Sequence, residues 1–175
     1  TGLYRREFVL PKGWAGRRII LHFGGVDSMF TVWVNGQEIG LSKGSRLPAE
    51  FDITGALKAG RNVLAVRVLQ WSDGSYIEDQ DMWWLSGIFR DVYLLALPPV
   101  AVFDYCVRTH LDDDGRKGRL QLSVTLRNFS ESDAAGCTLK ARLLAADGCA
   151  VLRHTLRAKA DVPARSEATV ELAAD

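Results

Sequence analysis

At 175 residues the chain is long enough for one large domain or two small ones. Its 22 Lys and Arg against 21 Asp and Glu leave a net charge of +1, which removes the basic excess of a nucleic-acid binder and the acidic excess of a disordered tail. Hydrophobic residues at 47% suffice for a packed core, no apolar run is long enough to cross a membrane, and no signal-peptide pattern is visible at the start.

Strand signals dominate from the beginning. RRIILHF (Arg17–Phe23) and MFTVWVNGQEIG (Met29–Gly40) are rich in β-branched and aromatic residues. Inside the second, Asn35-Gly36 predicts a two-residue hairpin turn, because both positions must accept positive φ. The stretch ITGALKAG (Ile53–Gly60) is the one plausible helical turn, with Thr54 as its cap and Gly60 as its end. Two more strands are expected over NVLAVRVLQW (Asn62–Trp71) and IFRDVYLLAL (Ile88–Leu97).

Between those strands lies a segment of different character, WSDGSYIEDQDMWWLSGIFRDV (Trp71–Val92). It mixes Asp73, Glu78, Asp79 and Asp81 with Trp71, Tyr76, Trp83 and Trp84. Neither a strand core nor a flexible linker needs that mixture. Asp73, Glu78 and Asp79 read most simply as turn formers and partners for arginines such as Arg46 and Arg90. Trp83 and Trp84, beside a loop, read first as core anchors.

The character shifts at Pro98-Pro99, which ends a strand and stiffens the path onward. All the tryptophans lie before residue 85. Beyond the prolines, VFDYCVRTHL, RLQLSVTLRNF, CTLKARLLAA, AVLRHTLRAKA and EATVELA recur at regular spacing, as in an immunoglobulin-like sandwich. DDDGRKG (Asp112–Gly118) and Asp147-Gly148 supply turns between them. The aspartates of the former lack the alternating ligand spacing of a calcium loop. Cys106, Cys137 and Cys149 form no CxxC pair and are odd in number. They read as free, buried thiols in a reducing compartment, so a cytoplasmic location is the expectation. His22, His110 and His154 are scattered and form no ligand pair. The chain is thus expected to be all-β, with one domain over 1–99 and another over 100–175.

The runs GVDSMFTVWVNGQEIGLSKGSRLPAEFDIT and NVLAVRVLQWSDGSYIEDQDMWWLSGIFRDVYLL resemble the amino-terminal sugar-binding domain of β-galactosidases of glycoside hydrolase family 2. The blocks SRLPAEFD, WSDGSYIEDQDMW and SGIFRDV carry most of the likeness. The second half is similar to that family by position and strand pattern. The resemblance implies a jelly-roll β-sandwich followed by an immunoglobulin-like β-sandwich. Both are expected to be partial, with the catalytic (β/α)₈ barrel outside this chain, since no alternating strand–helix pattern occurs here.

Retaining glycosidases need two carboxyl groups about 5–5.5 Å apart. By the resemblance both are barrel glutamates, and none of Glu7, Glu38, Glu50, Glu78, Glu131, Glu167 or Glu171 matches either. Glu78 and Asp81 could lie together in a loop, but nothing in their surroundings argues for an acid/base pair, so no catalytic residue is expected here. The resemblance instead makes Asp81 a substrate-binding residue that reaches the barrel's mouth, contacts galactose and helps ligate a sodium ion. An oxygen ligand suits such a hard cation. Carboxylates accept hydrogen bonds from sugar hydroxyls, and indoles stack on a pyranose face. Sodium and magnesium are the cofactors implied for the intact enzyme. The implied partners are a β-galactoside and the enzyme's own barrel, in a parent that can form homo-oligomers, with no nucleic acid or membrane.

The expectation is therefore a non-catalytic portion of a β-galactosidase, which shapes the sugar site and braces the barrel. A self-sufficient carbohydrate-binding or adhesion-type sandwich is the alternative. It would need complete sandwiches, whereas both here are expected to be short of strands.

Overall fold

The computed structural model describes residues 1–81 and 83–175. They form two compact units, Thr1–Leu97 and Pro98–Asp175. Each is built almost wholly of antiparallel strands.

The first unit opens with β1 (Gly2–Val9), β2 (Arg18–Phe23), the two-residue β3 (Val26–Asp27), β4 (Met29–Val34), β5 (Gln37–Ser42) and β6 (Ala49–Asp52). It continues through β7 (Arg61–Leu69), the short helix α1 (Asp73–Ile77), β8 (Gly87–Ile88) and β9 (Val92–Leu97). One sheet runs β1-β7-β4-β5, a second β6-β2-β9, and β3 and β8 make a separate ribbon. Side chains alternate across a strand, and β2 shows why the two sheets meet. Ile19, Leu21 and Phe23 are buried, while Arg18, Ile20 and His22 between them are only half so. They pack with Phe30, Val32 and Val34 of β4 and with Val66 and Val68 of β7. Phe23 lies 4.8 Å from Phe30, and Phe51 meets both edge-on at 6.0 and 5.8 Å. Each such ring or aliphatic chain removed from water contributes about 1.5–3 kcal/mol.

Asn35 and Gly36 have φ of 52° and 86°, as a two-residue turn of inverted hand requires. Asn35 also works as a staple. Its Nδ2 donates to the Ala56 carbonyl and to Asn62 Oδ1, both at 2.8 Å, and its Oδ1 accepts the Val63 N–H at 3.0 Å. Asn62, fully buried, is in turn saturated by Lys58 and Gly60.

The helical turn is smaller than Ile53–Gly60 and differently capped. It spans Thr54–Ala56 as a 3₁₀ turn, with Ile53 before it. Thr54 is not a cap. Its hydroxyl accepts the Ile19 N–H at 2.9 Å and donates to Asp52 at 2.6 Å, tying the turn to β2. Gly60 does close the segment, at φ 79°. The helix α1 was not expected from the sequence.

The second unit carries β10 (Val100–Leu111), β11 (Gly118–Asn128), β12 (Ala134–Ala141), β13 (Leu156–Val162) and β14 (Glu167–Ala174). The sheets are β10-β11-β14 and β12-β13, around Val124, Leu126 and Val162. The strand count matches the sequence reading, but the bounds of two strands move. Strand β12 begins at Ala134 and stops at Ala141, and β13 begins only at Leu156. Between them the chain makes an isolated bridge, Leu144 to Ala150, around the Asp147-Gly148 turn. The Asp112–Gly118 turn is a hairpin end, in which Asp112 Oδ1 accepts the N–H groups of Arg116 and Lys117. The thiols are free, but not buried as expected: Cys106 and Cys149 are exposed and Cys137 is half-buried. Among the described residues no helix is long and apolar enough to cross a membrane.

Candidate functional site

The acidic, aromatic segment joins β7 to β8 as a loop, and its arms are held differently from its tip. At the incoming arm, α1 is tethered by charge: Lys43 Nζ lies 2.8 Å from Asp73. That contact first, and then the Gly74 N–H, holds the Asp73 carboxyl below its ordinary value. Ser72, just before α1, donates its N–H to Ser75 Oγ at 3.1 Å. Its hydroxyl lies 2.8 Å from that of Ser28, which is also 3.2 Å from the Leu69 carbonyl.

At the outgoing arm, Gly87 and Ile88 pair with Asp27 and Val26. Phe89 sits against Gly25, where an added Cβ would come within 2.7 Å of the ring. Two guanidiniums lie over that ring: Arg46 at 5.7 Å and Arg90 at 5.3 Å from its centre. Arg46 also pairs with Asp27 at 2.7 Å, and Arg90 donates to the carbonyls of Gly24 and Arg46.

The tip is open. Glu78 is half-buried, and Asp79 and Asp81 are exposed. Among the described residues none of the three makes a side-chain hydrogen bond or ion pair. The arginine partners expected for Asp73, Glu78 and Asp79 are therefore not observed. Asp73 takes a lysine, and Arg46 and Arg90 serve Asp27 and the Phe89 region. Trp83 and Trp84 are not core anchors either, at 84% and 57% exposed. Trp84 meets Trp71 edge-on at 5.0 Å. Met82, inside the quoted motif, lies outside the described residues. Gln80 and Asp81 fall in bends rather than in a strand, so strict alternation does not set Asp79 and Asp81 on opposite sides.

The concavity beside the loop, lined by residues including Asp27, Arg46, Trp71, Glu78 and Trp84, has a volume of about 30 Å³. That accommodates a water, against the ≈ 300 Å³ and more of a small-molecule pocket. A larger cleft of about 660 Å³ opens elsewhere in the unit, between β1 and β9. It is lined by Leu3, Phe8, Leu21, Val66, Tyr93 and Leu94 among others, with no carboxylate. It lacks the anionic acceptors that sugar hydroxyls favour. Among the described residues no group of three or more His, Cys, Asp or Glu could hold a metal ion. Asp81 could supply one carboxylate ligand.

What sequence reasoning missed is the base of the loop: Asp27, Ser28 and Lys43, and Asp27 as the partner of Arg46. Their partners lie 19 to 44 residues away, and no local pattern announces them. The adjacent Gly24-Gly25 pair at the end of β2 was the available signal, since glycine after a strand marks close backbone approach.

The first unit is thus a β-sandwich of two main sheets that presents an acidic, tryptophan-rich loop. Residues 1–98 match the glycosyl hydrolases family 2, sugar binding domain, and the chain belongs to that family. It is 42% identical over 162 residues to a β-galactosidase of Priestia megaterium, covering 93% of this chain and 16% of that protein. It is 55% identical over 126 residues to a β-galactosidase of Vibrio cholerae, covering 72% and 12%. Among solved structures, a β-glucuronidase of Bacteroides uniformis superposes with a TM-score of 0.83 at 23% identity, over 99% of this chain and 21% of that one. At that identity the likeness is one of fold. The chain thus spans about a sixth or less of the length of these curated relatives.

Proposed function

We propose that this chain forms one wall of the sugar site of a retaining β-galactosidase. The catalytic glutamates would be carried by a (β/α)₈ barrel elsewhere in the same polypeptide. The observation that carries the proposal is the loop tip: an exposed Asp81 with no partner among the described residues, in a family 2 sugar-binding domain. A structural carboxylate would be expected to find a cation nearby, as Asp27 and Asp73 do. Asp81 is left available for a ligand.

In this reading Asp81 accepts hydrogen bonds from galactose hydroxyls and contributes one ligand to a sodium ion. An exposed carboxylate is the hard oxygen donor such an ion takes. The ion would supply positive charge that orients sugar hydroxyls and fixes the carboxylate. The remaining ligands come from outside this chain, and magnesium has no ligand assigned on it. Trp83 and Trp84 offer apolar surface at the rim of the site or against the barrel. The small concavity beside the loop favours a wall over a self-sufficient binding module. The exposed thiols of Cys106 and Cys149 fit a reducing compartment, and we place the protein in the cytoplasm on that basis.

The test is Asp81→Asn in the full-length polypeptide. A hydrogen bond to a charged group is worth about 1.5–3 kcal/mol. Its loss is expected to lower kcat/KM for a chromogenic β-galactoside by about 10- to 150-fold and to weaken sodium dependence. Asp79→Asn, also exposed, is the control: the resemblance assigns the sugar contact to Asp81 and not to Asp79, so this variant is expected to retain activity. Thr1–Asp175 by itself should show no turnover, because it lacks both barrel glutamates. Full activity of Asp81→Asn, or turnover by homogeneous Thr1–Asp175, would defeat the proposal.

A further inference from the structure

The two arms of the Trp71–Ser86 loop are fastened to the same three residues. Val26 and Asp27 pair with Ile88 and Gly87 at the outgoing arm. Ser28 meets Ser72 at the incoming arm. The segment from Lys43 to Arg46 reinforces both arms. Lys43 holds Asp73, Ser45 Oγ reaches the Ser28 carbonyl at 3.5 Å, and Arg46 holds Asp27.

We infer that Arg46, acting through Asp27 and Phe89, is a positioning residue that sets the loop carrying Asp81. For its effect on turnover this rests on the sugar-site reading above; for its effect on the loop it does not. Arg46 does two things that few side chains combine. Its guanidinium pairs with Asp27, whose side chain is only 16% exposed, and lies over the Phe89 ring. A planar, delocalised cation both pairs with a carboxylate and stacks on an aromatic face, whereas an ammonium is a point charge that does the first better than the second. Phe89 cannot retreat toward the strand, because it already fills the space that a side chain at Gly25 would need. Arg90 closes the arrangement by lying over the same ring and donating to the backbone carbonyl of Arg46. The outgoing arm therefore has one defined seat, at Phe89, three residues after Ser86, and the exposed tip between the arms inherits its position from these contacts.

A displacement of about 1 Å far from the chemistry can cost on the order of 100-fold in rate. In the full-length protein, Arg46→Gln is expected to speed hydrogen–deuterium exchange over residues 71–86 while leaving β4 and β7 unchanged. It should lower kcat/KM for o-nitrophenyl β-D-galactoside by about 10- to 100-fold, with Arg46→Lys recovering part of the loss. Because the two residues act as a unit, Arg46→Gln combined with Asp81→Asn should be little worse than Asp81→Asn alone. A merely structural arginine would instead add its full cost. Phe89→Leu, which keeps apolar bulk and removes the aromatic face, is the second probe should Arg46→Gln fold poorly. Unchanged loop exchange in the folded variants, or fully multiplicative losses in the double variant, overturns the inference. Faster loop exchange with a fully active Asp81→Asn leaves the clamp standing and removes the sugar-site reading instead.

Discussion

Replacing Asn35 separates two things that one residue does. The side chain makes three hydrogen bonds, to Ala56, Asn62 and Val63, and the backbone sits at φ 52°. At a net value of about 1 kcal/mol for each bond, their loss costs about 3 kcal/mol. The left-handed backbone adds roughly 1–2 kcal/mol for an alanine but not for a glycine. Asn35→Ala should therefore lose about 4–5 kcal/mol and Asn35→Gly about 3–4 kcal/mol, part of the glycine's advantage being returned through its freer unfolded chain. With a urea slope of about 2 kcal/mol per molar, the midpoint falls by roughly 2 M for alanine and somewhat less for glycine. Tryptophan fluorescence is a selective assay, since all the tryptophans lie before residue 85 and report on the Thr1–Leu97 unit. The reasoning fails if alanine is tolerated as well as glycine, or if both shift the midpoint by less than about 0.5 M.

Three further outcomes concern the core, an exposed side chain and the base of the loop. Phe30→Ala removes a ring packed at 4.8 Å from Phe23 and edge-on to Phe51 and should cost about 3–5 kcal/mol. Leu47→Ala, at a side chain that is 69% exposed, should stay within about 0.5 kcal/mol in the same urea assay. For Asp73, whose pKa is lowered chiefly by Lys43, the stabilising contact is present above the ordinary carboxylate value of 3.8. It fades as pH falls through the lower folded value. Lys43→Gln should raise the Asp73 titration midpoint toward 3.8 in a carboxyl NMR titration, and an unmoved midpoint would refute the pairing.

The sequence made the strands legible where a strand buries one face, because the period of two is then imposed by the core. RRIILHF is the clearest case, and Asn35-Gly36 is legible because few residue pairs accept two positive φ values. The helix α1 was hidden because Asp73-Gly74-Ser75 is turn chemistry, and a single helical turn has no room for a period. The tryptophans misled for a different reason. Large aromatics are buried on average, but Trp83 and Trp84 sit on a loop that the described core does not reach. The pairing of Arg46 with Asp27 could not be read at all, since nothing local in GSRLP or GVDS states that the two will meet.

The distribution of charge along the loop bears on what its tip can do. Asp27 and Asp73, at the base, are each engaged by a cation and contribute to holding the arms. Glu78, Asp79 and Asp81 follow α1 and meet no cation among the described residues. Without a cation beside them these carboxylates contribute no ion pair to folding among the described residues, unlike Asp27 and Asp73. A cation or a set of hydroxyl donors brought to the tip would find them available. The structure thus spends its basic residues on the base and leaves an unmet demand at the tip. Asp81→Asn should then leave the urea midpoint of the Thr1–Leu97 unit unchanged even as it impairs sugar turnover in the full-length polypeptide. A variant that loses stability and activity together would mean that Asp81 has a structural cation after all.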